Sequence, residues 1–332
     1  MKRPYTGVRF SRVIARPAGA AILTLGMLTV SPQFGAAASA KATAADCTTP
    51  ITSSPTGRTT VSTKSTAFGT VLSIGSGTFA GCSLYVLTSD ELHSLTFGLA
   101  AFACSDGANP IGQPCDSVLW PALLTNGAPI AGPGVKRSLL GTVTRTDVLA
   151  GVSVQQVTYA GQPLYRFFQD ETPAQTDGAN LFDPVTSPAG TWYLVDPGRG
   201  NAAPGRLQMQ SETVGGSTVL AATMDNDFSL LPLGTFPVYT LTNKHGQGCR
   251  SYCALLWSPV LTAGQPEAGD GVDQHALGVV VRPDGTRQVT YHGKPLYLFT
   301  GDAYIPGVTG TQSINGAGAV TPWGTFNTIP LS

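Results

Sequence analysis

The sequence predicts an all-β protein made of two tandem copies of one hairpin-rich unit, and three observations support this. The chain repeats its own sequence, in the same order, along most of its length. Only 11% of its 332 residues are charged, whereas 40 are Gly and 25 are Pro, which is typical of short strands and many turns. Each copy contains strand-forming residues around a two-residue turn. We therefore expect packed sheets, as a sandwich or a propeller-like arrangement, with few short helices.

The first 40 residues have the pattern of a Sec-type signal peptide. A basic segment that includes Arg16 precedes an apolar run, residues 17–30, and Ala38-Ser39-Ala40 offers a small-x-small cleavage site. The run is shorter than the roughly 20 residues of a membrane-spanning helix. The sequence therefore predicts cleavage after Ala40, and a secreted or cell-surface chain whose mature part has no transmembrane segment. An N-terminal anchor is the alternative.

Charge limits the possible partners. Residues 41–332 hold 14 basic and 19 acidic side chains, a net charge of −5. Nucleic-acid-binding proteins present a basic face to the phosphates, so we expect no nucleic-acid partner. Lipidation at Cys47 is disfavoured, because Asp46 occupies the place where a lipid-attachment site needs a small residue.

Composition and self-similarity divide the chain into segments. Residues 41–66 are rich in Thr and Ser with few large apolar side chains, and this composition is typical of a flexible stalk. The expected segments are a signal peptide (1–40), a Thr/Ser-rich linker (41–66), the first copy (67–200), a second linker (201–215) and the second copy (216–332).

The two copies share landmarks in the same order. A strand-like run begins each copy, two cysteines and a Trp follow, and then a Gly-x-Val-x-Arg-x-Asp segment precedes the hairpin. Near its end each copy has a further Trp, at Trp192 and Trp323. The Arg residues of the shared segment are Arg145 and Arg282, and the Trp residues after the cysteines are Trp120 and Trp257.

A Tyr-x4-Asp motif occurs twice in each copy. An aromatic residue two positions after the Tyr completes two of the four motifs. The motif residues are Tyr85 and Asp90; Tyr165, Phe167 and Asp170; Tyr239, where Lys244 replaces the Asp; and Tyr297, Phe299 and Asp302.

These residues resemble the secreted-repeat family of predicted bacterial lipoproteins, which carries the motif Tyr-x-aromatic-x-x-Asp. The motifs of Tyr165 and Tyr297 fit it fully, that of Tyr85 fits with Leu87 in the aromatic place, and that of Tyr239 fits in part. The resemblance covers about residues 67–332. It implies an exported repeat protein and implies no activity, because the family has no established function.

The motif residues Asp170 and Asp302 have three possible roles. An extended strand rises about 3.3 Å per residue, which puts each Asp ~16 Å from its own Tyr, so a Tyr–Asp pair within one motif is not expected. Each Asp could cap the turn that ends its strand by accepting backbone N–H bonds. It could instead form a buried ion pair with Arg145 or Arg282, or bind a ligand or metal.

Six cysteines in an exported chain predict disulfides. Cys249-x3-Cys253 could hold zinc, but no second Cys or His pair follows at finger-like spacing, so a local disulfide is preferred. Repeat equivalence then predicts Cys104–Cys115, which leaves Cys47 and Cys82 for each other.

The hairpin turns are Ala160-Gly161 and His292-Gly293, and tight turns of this length need positive φ at both positions. His292 is interpreted as a turn residue, with a metal ligand as the alternative.

No catalytic template is present, so an enzyme is less expected than a binding or structural repeat of the cell envelope with an unknown partner. The alternative function is a redox or metal-binding accessory protein. We assign no cofactor, catalytic residue or metal ligand.

Overall fold

Strands dominate the computed structural model, which confirms the all-β prediction with few short helices. It describes residues 46–90, 102–105, 113–183, 186, 190–223, 235–243, 246, 248–250, 252–302 and 313–331. The predicted signal peptide and Lys244 lie outside these residues. No helix within these ranges is long and apolar enough to cross a membrane.

The described residues up to position 203 form eleven strands. They are β1 (Thr60–Thr66), β2 (Gly69–Ile74), β3 (Tyr85–Leu87), β4 (Leu124–Thr125), β5 (Ile130–Ala131), β6 (Leu140–Leu149), β7 (Val152–Tyr159), β8 (Gln162–Pro163), β9 (Leu181–Asp183), β10 (Gly190–Val195) and β11 (Ala202–Ala203). A π-helix (Cys115–Leu119) and a 3-10 helix (Arg137–Leu139) interrupt them.

Eleven further strands follow in the described part of the second half. They are β12 (Gln208–Val214), β13 (Ser217–Thr223), β14 (Thr235–Pro237), β15 (Tyr239–Thr242), β16 (Trp257–Pro259), β17 (Glu267–Ala268), β18 (Leu277–Val281), β19 (Arg287–Tyr291), β20 (Lys294–Phe299), β21 (Ala319–Thr321) and β22 (Gly324–Thr328). The helix α1 (Tyr252–Leu256) and a 3-10 helix (Gln274–Ala276) lie among them.

Each half opens with the same three-strand arrangement. β1 pairs antiparallel with β2 and parallel with the short β5. β12 repeats this arrangement, because it pairs antiparallel with β13 and parallel with β17. In the second half β14 adds a fourth strand beside β13.

Two expectations about linkers are wrong. Residues 41–66 were expected to form a flexible stalk, but Thr60–Thr66 is strand β1. Likewise the expected linker 201–215 contains β11 and all of β12. Both segments contain Val and Thr, β-branched residues that suit strands, and their polar side chains lie on half-exposed positions. A strand therefore lies directly before the predicted start of each copy.

The remaining strands bring the motif tyrosines together. In the first copy β3 pairs with β10, and Tyr85 exchanges both backbone hydrogen bonds with Tyr165. In the second copy β15 pairs with β22 and with β20, where Tyr239 lies opposite Tyr297. These pairings join seven strands of the second copy into one sheet of order β18-β19-β20-β15-β22-β21, with β16 beside β20. In the first copy the corresponding sheets are β11-β10-β3, with β9 beside β10, and β4-β7-β6, with β8 beside β7.

The hairpin turns have the backbone conformation that the sequence predicts. The φ angles are 50° at Ala160 and 83° at Gly161, and 47° at His292 and 75° at Gly293. Each turn joins antiparallel strands, β7 to β8 and β19 to β20. His292 is exposed and its ring packs against Tyr291, as expected for a turn residue.

The two copies share one hydrophobic core. Residues 43–332 form one compact unit, and its largest buried cluster contains side chains from both copies, such as Leu181 and Leu220. Phe182 of the first copy packs edge to face on Phe236 of the second, with ring centroids 4.8 Å apart. Because this contact and its neighbours are buried, the copies stabilise each other.

Candidate functional site

The motif residues of the first copy form two buried Tyr–Asp pairs. The hydroxyl of Tyr85 donates to Oδ2 of Asp170, and the hydroxyl of Tyr165 donates to Oδ2 of Asp90. Both oxygen–oxygen distances are 2.7 Å. Each Tyr thus binds the Asp of the other motif. Residues directly opposite in an antiparallel pair project from the same face of the sheet, so the Tyr85–Tyr165 register places both hydroxyls in the interior. We call these two contacts the reciprocal pairs.

The second oxygen of each carboxylate binds the backbone. Oδ1 of Asp170 accepts the N–H of Asp177 at 2.8 Å. Oδ1 of Asp90 accepts the N–H groups of Ala103 at 2.9 Å and Cys104 at 3.3 Å. The aspartates therefore do cap backbone N–H groups, but these groups lie seven or more positions further along the chain rather than in the local turn.

The second copy has one such pair. Tyr239 donates to Oδ2 of Asp302 at 2.6 Å, and Oδ1 of Asp302 accepts the N–H of Asn315 at 2.9 Å. Tyr297 corresponds to Tyr165, and its hydroxyl accepts the N–H of Cys249 at 3.0 Å. Lys244 stands where the third motif, that of Tyr239, would have its Asp, so the sequence has no reciprocal partner for Tyr297.

Burial changes the acidity of these groups. Desolvation raises the pKa of Asp170 and of Asp302 to about 6, although the Tyr hydroxyls that donate to them act in the opposite direction. Desolvation also raises the pKa of Asp90. The pKa of Tyr85 lies well above its ordinary value because of burial and the adjacent Asp170 carboxylate. The hydroxyl therefore remains a donor at neutral pH.

Aromatic rings cover the pairs in both copies. In the first copy Phe167 stacks on Trp120 at 4.2 Å, and Trp120 stacks on Trp192 at 3.8 Å between ring centroids. The edge of Tyr85 meets Trp120 at 5.5 Å. This layer excludes water from the reciprocal pairs, which is consistent with the complete burial of Tyr85.

The second copy repeats the layer with one substitution. Phe299 stacks on Trp257 at 4.2 Å, and Trp257 stacks on Phe326 at 3.7 Å. The expectation that Trp323 is the counterpart of Trp192 is wrong. Strand register shows why, since Trp192 lies opposite Leu87 and Phe326 lies opposite Leu241. Trp323 lies three residues earlier and packs against Tyr252 at 6.1 Å.

Arg145 is the centre of a polar cluster beside the first copy's pairs. It is 2% exposed and forms ion pairs with Asp116 and, at 2.5 Å, with Asp147. It also donates to Tyr165 Oη at 3.1 Å and to the carbonyl of Cys104 at 2.9 Å. Burial alone would lower the pKa of Arg145, but the surrounding Tyr165, Asp147 and Asp116 hold it above its ordinary value.

The interpretation of Asp170 and Asp302 as ion-pair partners of Arg145 and Arg282 is therefore wrong. Arg282 binds Gln288 at 2.8 Å and lies 3.6 Å from Asp284, two residues away. In both copies the Arg and the following Asp belong to the same short segment. The Tyr hydroxyls, and not the arginines, bind the motif carboxylates.

The π-helix explains how Asp116 reaches Arg145. In the first copy five steps separate Cys115 from Trp120, and the Trp120 N–H binds the Cys115 carbonyl at 2.7 Å. In the second copy four steps separate Cys253 from Trp257, and the segment forms the α-helix α1. One extra residue thus widens the turn. The second residue of the π-helix is Asp116, whereas the residue after Cys253 in the second copy is Ala254.

Three disulfides lie around these sites. The structure joins Cys47 to Cys82, Cys104 to Cys115 and Cys249 to Cys253. Cys249 and Cys253 bind each other, so the zinc interpretation of this pair does not describe the structure. The described residues contain no cluster of three or more His, Cys, Asp or Glu side chains that could hold a metal ion.

Comparison with known proteins gives one match. A profile of a secreted repeat of unknown function matches residues 154–195 and 278–316. Both copies resemble this secreted repeat. Each matched segment contains a hairpin turn and the full motif that follows it, with Tyr165 in the first and Tyr297 in the second. No curated protein and no solved structure matches the chain.

Sequence reasoning missed the exchange of partners between motifs and the Arg145 cluster. The exchange depends on strand pairing between residues 80 positions apart, which no local spacing reveals. The Arg145 cluster did leave a signal, because the first copy has one more residue than the second between the second Cys and the Trp, and because Asp116 lies in that segment.

Proposed function

We propose that this chain is an exported repeat scaffold that binds a partner at the cell envelope, and that its Tyr-x4-Asp residues maintain the fold. The buried reciprocal pairs carry this proposal. In each Tyr–Asp pair, both oxygens of the carboxylate accept a hydrogen bond from the protein itself. A carboxylate that acts on a substrate must be able to contact it, and these carboxylates lie beneath an aromatic layer.

Three further features support an exported scaffold. Disulfides are typical of oxidising compartments, and the chain has three. Residues 1–40 have the pattern of a leader peptide. The matched profile is that of a secreted repeat, which agrees with a location outside the cytoplasm. The exposed surface of the protein, and not the buried motif residues, is proposed to bind the partner.

Fractionation of a bacterial host that expresses the full chain tests the proposal. We expect the protein outside the cytoplasm, with the intact mass of a chain that begins at Lys41. We also expect the purified protein to sediment with isolated cell envelopes. Tyr239→Phe should lower stability without abolishing sedimentation of the folded protein. Cytoplasmic retention, or no sedimentation above a control protein, would contradict the proposal. Stoichiometric metal or visible absorbance would instead favour a redox or metal-binding accessory.

A further inference from the structure

A surface pocket of about 480 Å³ lies between the N-terminal segment, residues 49–59, and the first copy. Its lining contains two arginines, Arg58 and Arg166, and neither Asp nor Glu. This charge is opposite to that of residues 41–332, which carry a net charge of −5. Its volume lies within the range of about 300–1,000 Å³ that is common for small-molecule sites.

Arg166 is buried in this pocket without a carboxylate partner. Arg166 is 3% exposed, and its guanidinium carbon lies over the ring of Phe79, 3.8 Å from the ring centroid. It donates to the carbonyls of Cys47 at 2.5 Å and Thr49 at 2.8 Å, which are neutral acceptors. Among the described residues, no carboxylate lies within 4.0 Å of it to form an ion pair. A buried charge without a counter-charge is costly, and an anion would offset that cost.

Asp46 is the carboxylate that acts on Arg166 from a distance, and it does not neutralise it. Desolvation lowers the pKa of Arg166 to about 10, and the more remote Asp46 offsets only part of this effect. Asp46 is exposed, and its oxygens accept hydrogen bonds from Thr48 and Thr49. The Cys47 and Thr49 carbonyls use two of the five N–H donors of Arg166.

The repeat fold itself does not require an arginine at this position. The second copy has Leu298 where the first has Arg166, in Pro-Leu-Tyr-Leu-Phe against Pro-Leu-Tyr-Arg-Phe. Leu298 is buried in the same way. The cation is therefore a feature of the first copy alone, where the N-terminal segment forms the pocket wall.

Besides the two arginines, the polar side chains that line the pocket are Thr and Ser. The N-terminal segment, which carries most of them, is fixed to the rest of the protein. The Cys47–Cys82 disulfide and the 2.8 Å hydrogen bond from Ile51 N–H to the Ser117 carbonyl fix the N-terminal segment. Each hydroxyl can both donate and accept, which suits the hydroxyls of a sugar. Six of them make no hydrogen bond to a described protein group: Thr52, Ser53, Ser54, Thr56, Ser76 and Thr78.

We propose that this pocket binds an anionic sugar, one that carries a carboxylate or a phosphate. The anionic group pairs with Arg166, with Arg58 at the rim, and the sugar hydroxyls bind the Thr and Ser side chains. The assignment rests on the proposed binding function and names its ligand class. Sugars with carboxylate and with phosphate groups share the chemistry that Arg recognises.

Calorimetric titration of the disulfide-bonded exported protein at low ionic strength tests this, with glucuronic acid, glucose 6-phosphate and glucose as probes. We expect at least one anionic sugar to bind ten times or more tightly than glucose, and the preference to weaken as salt is added. Preference for glucuronic acid alone identifies a carboxylate ligand, and preference for glucose 6-phosphate alone identifies a phosphate ligand. Equal binding of all three sugars, or no binding, overturns the assignment.

Variants separate the pocket from the rest of the surface. Arg166→Leu, which introduces the residue of the second copy, should remove the preference, and Arg166→Lys should retain part of it. Arg287→Leu, in a different groove, should leave it unchanged. If Arg166→Leu does not fold, Arg58→Gln decides, since an unaltered preference in that exposed variant overturns the proposal. If sedimentation with envelopes persists without any sugar preference, only the sugar assignment fails.

Discussion

The Tyr85 hydroxyl donates a 2.7 Å hydrogen bond to Asp170, which lies 85 positions further along the chain. Asp90, five residues after Tyr85, accepts instead from Tyr165. Two segments that are far apart in sequence therefore satisfy each other's buried polar groups. Because an unsatisfied buried group costs about 1–3 kcal/mol, neither motif is stable in this environment without the other.

Removal of the Tyr85 hydroxyl should destabilise the protein. We expect Tyr85→Phe to cost about 1–3 kcal/mol, since it leaves Oδ2 of Asp170 buried without that donor. In a double-mutant cycle with Asp170→Ala, we expect a coupling free energy of about 0.5–3 kcal/mol. Denaturant unfolding measures all four proteins, and additive effects of the two changes would show that the contact does not stabilise the fold.

Tyr297→Phe is the matched control for this cycle. Tyr297 occupies the equivalent buried place in the second copy, but its hydroxyl accepts a backbone N–H instead of donating to a motif carboxylate. Its replacement should therefore cost less than Tyr85→Phe. A loss at Tyr297 equal to that at Tyr85 would mean that ring packing, rather than the carboxylate contact, determines the effect.

Stability should increase as the solution is made mildly acidic. The folded protein holds protons on Asp170 and Asp302 with a pKa of about 6, whereas the unfolded chain releases them near pH 4. The free energy of unfolding therefore rises as pH falls from about 7 to about 4.5, by on the order of 2 kcal/mol for each group.

Thermal unfolding across this pH range checks the rise, and Asp170→Asn with Asp302→Asn should remove most of it. Carboxyls whose pKa is lowered, such as Asp147 and Asp284, contribute stability that is lost only at still lower pH. Stability that falls steadily between about pH 7 and 4.5 would contradict the expectation, because it requires unfolded-state carboxyls to bind protons more tightly.

Arg145→Leu should be far more costly than the equivalent Arg282→Leu. Loss of Arg145 leaves Asp116 buried without its cation, and breaking a buried ion pair costs about 3–5 kcal/mol. The pair of Arg282 with Asp284 spans 3.6 Å, and the Asp284 side chain is 49% exposed. Guanidinium unfolding of the two variants gives the comparison, and equal losses would rule out a special role for the π-helix cluster.

The hairpin turn offers a stabilising substitution. Ala160 has a φ of 50°, a conformation that Asn tolerates better than Ala. Ala160→Asn should raise the free energy of unfolding by about 0.5–1 kcal/mol, and His292→Asn should raise it less. Gly200→Ala should lower it, because an added Cβ would lie 2.4 Å from the Ala160 Cβ. Urea titration measures these changes, and a clear loss in Ala160→Asn would contradict the turn assignment.

The disulfides should differ in their contribution according to loop length. Cys47–Cys82 spans 35 residues and Cys249–Cys253 spans 4. Chain-entropy reasoning gives a stabilisation of about 4 kcal/mol for the former and about 2 kcal/mol for the latter. Paired Cys→Ala variants, compared by thermal unfolding, test the order, and a larger loss for the short loop would exclude the entropic explanation here.

Local features could be predicted from the sequence, and partner choice across the chain could not. The all-β class and the turns at Ala160 and His292 depend on residues within one hairpin, so short-range patterns reveal them. Strand β1 was missed because a Thr- and Ser-rich strand has the composition of a linker, and β12 was missed because five of its seven residues are polar. The Tyr85–Asp170 contact depends on the register of distant strands, and the Asp116–Arg145 contact depends on a single extra residue in one copy.

The reciprocal pairs limit how such a gene can change in length. A coding segment with a single Tyr-x4-Asp motif specifies a donor without its acceptor and an acceptor without its donor. The smallest segment that can be duplicated or deleted without leaving a buried donor or acceptor unpaired is therefore a pair of motifs. This chain contains two such pairs of motifs. Lys244, in the place of the third motif's Asp, makes the second pair of motifs asymmetric.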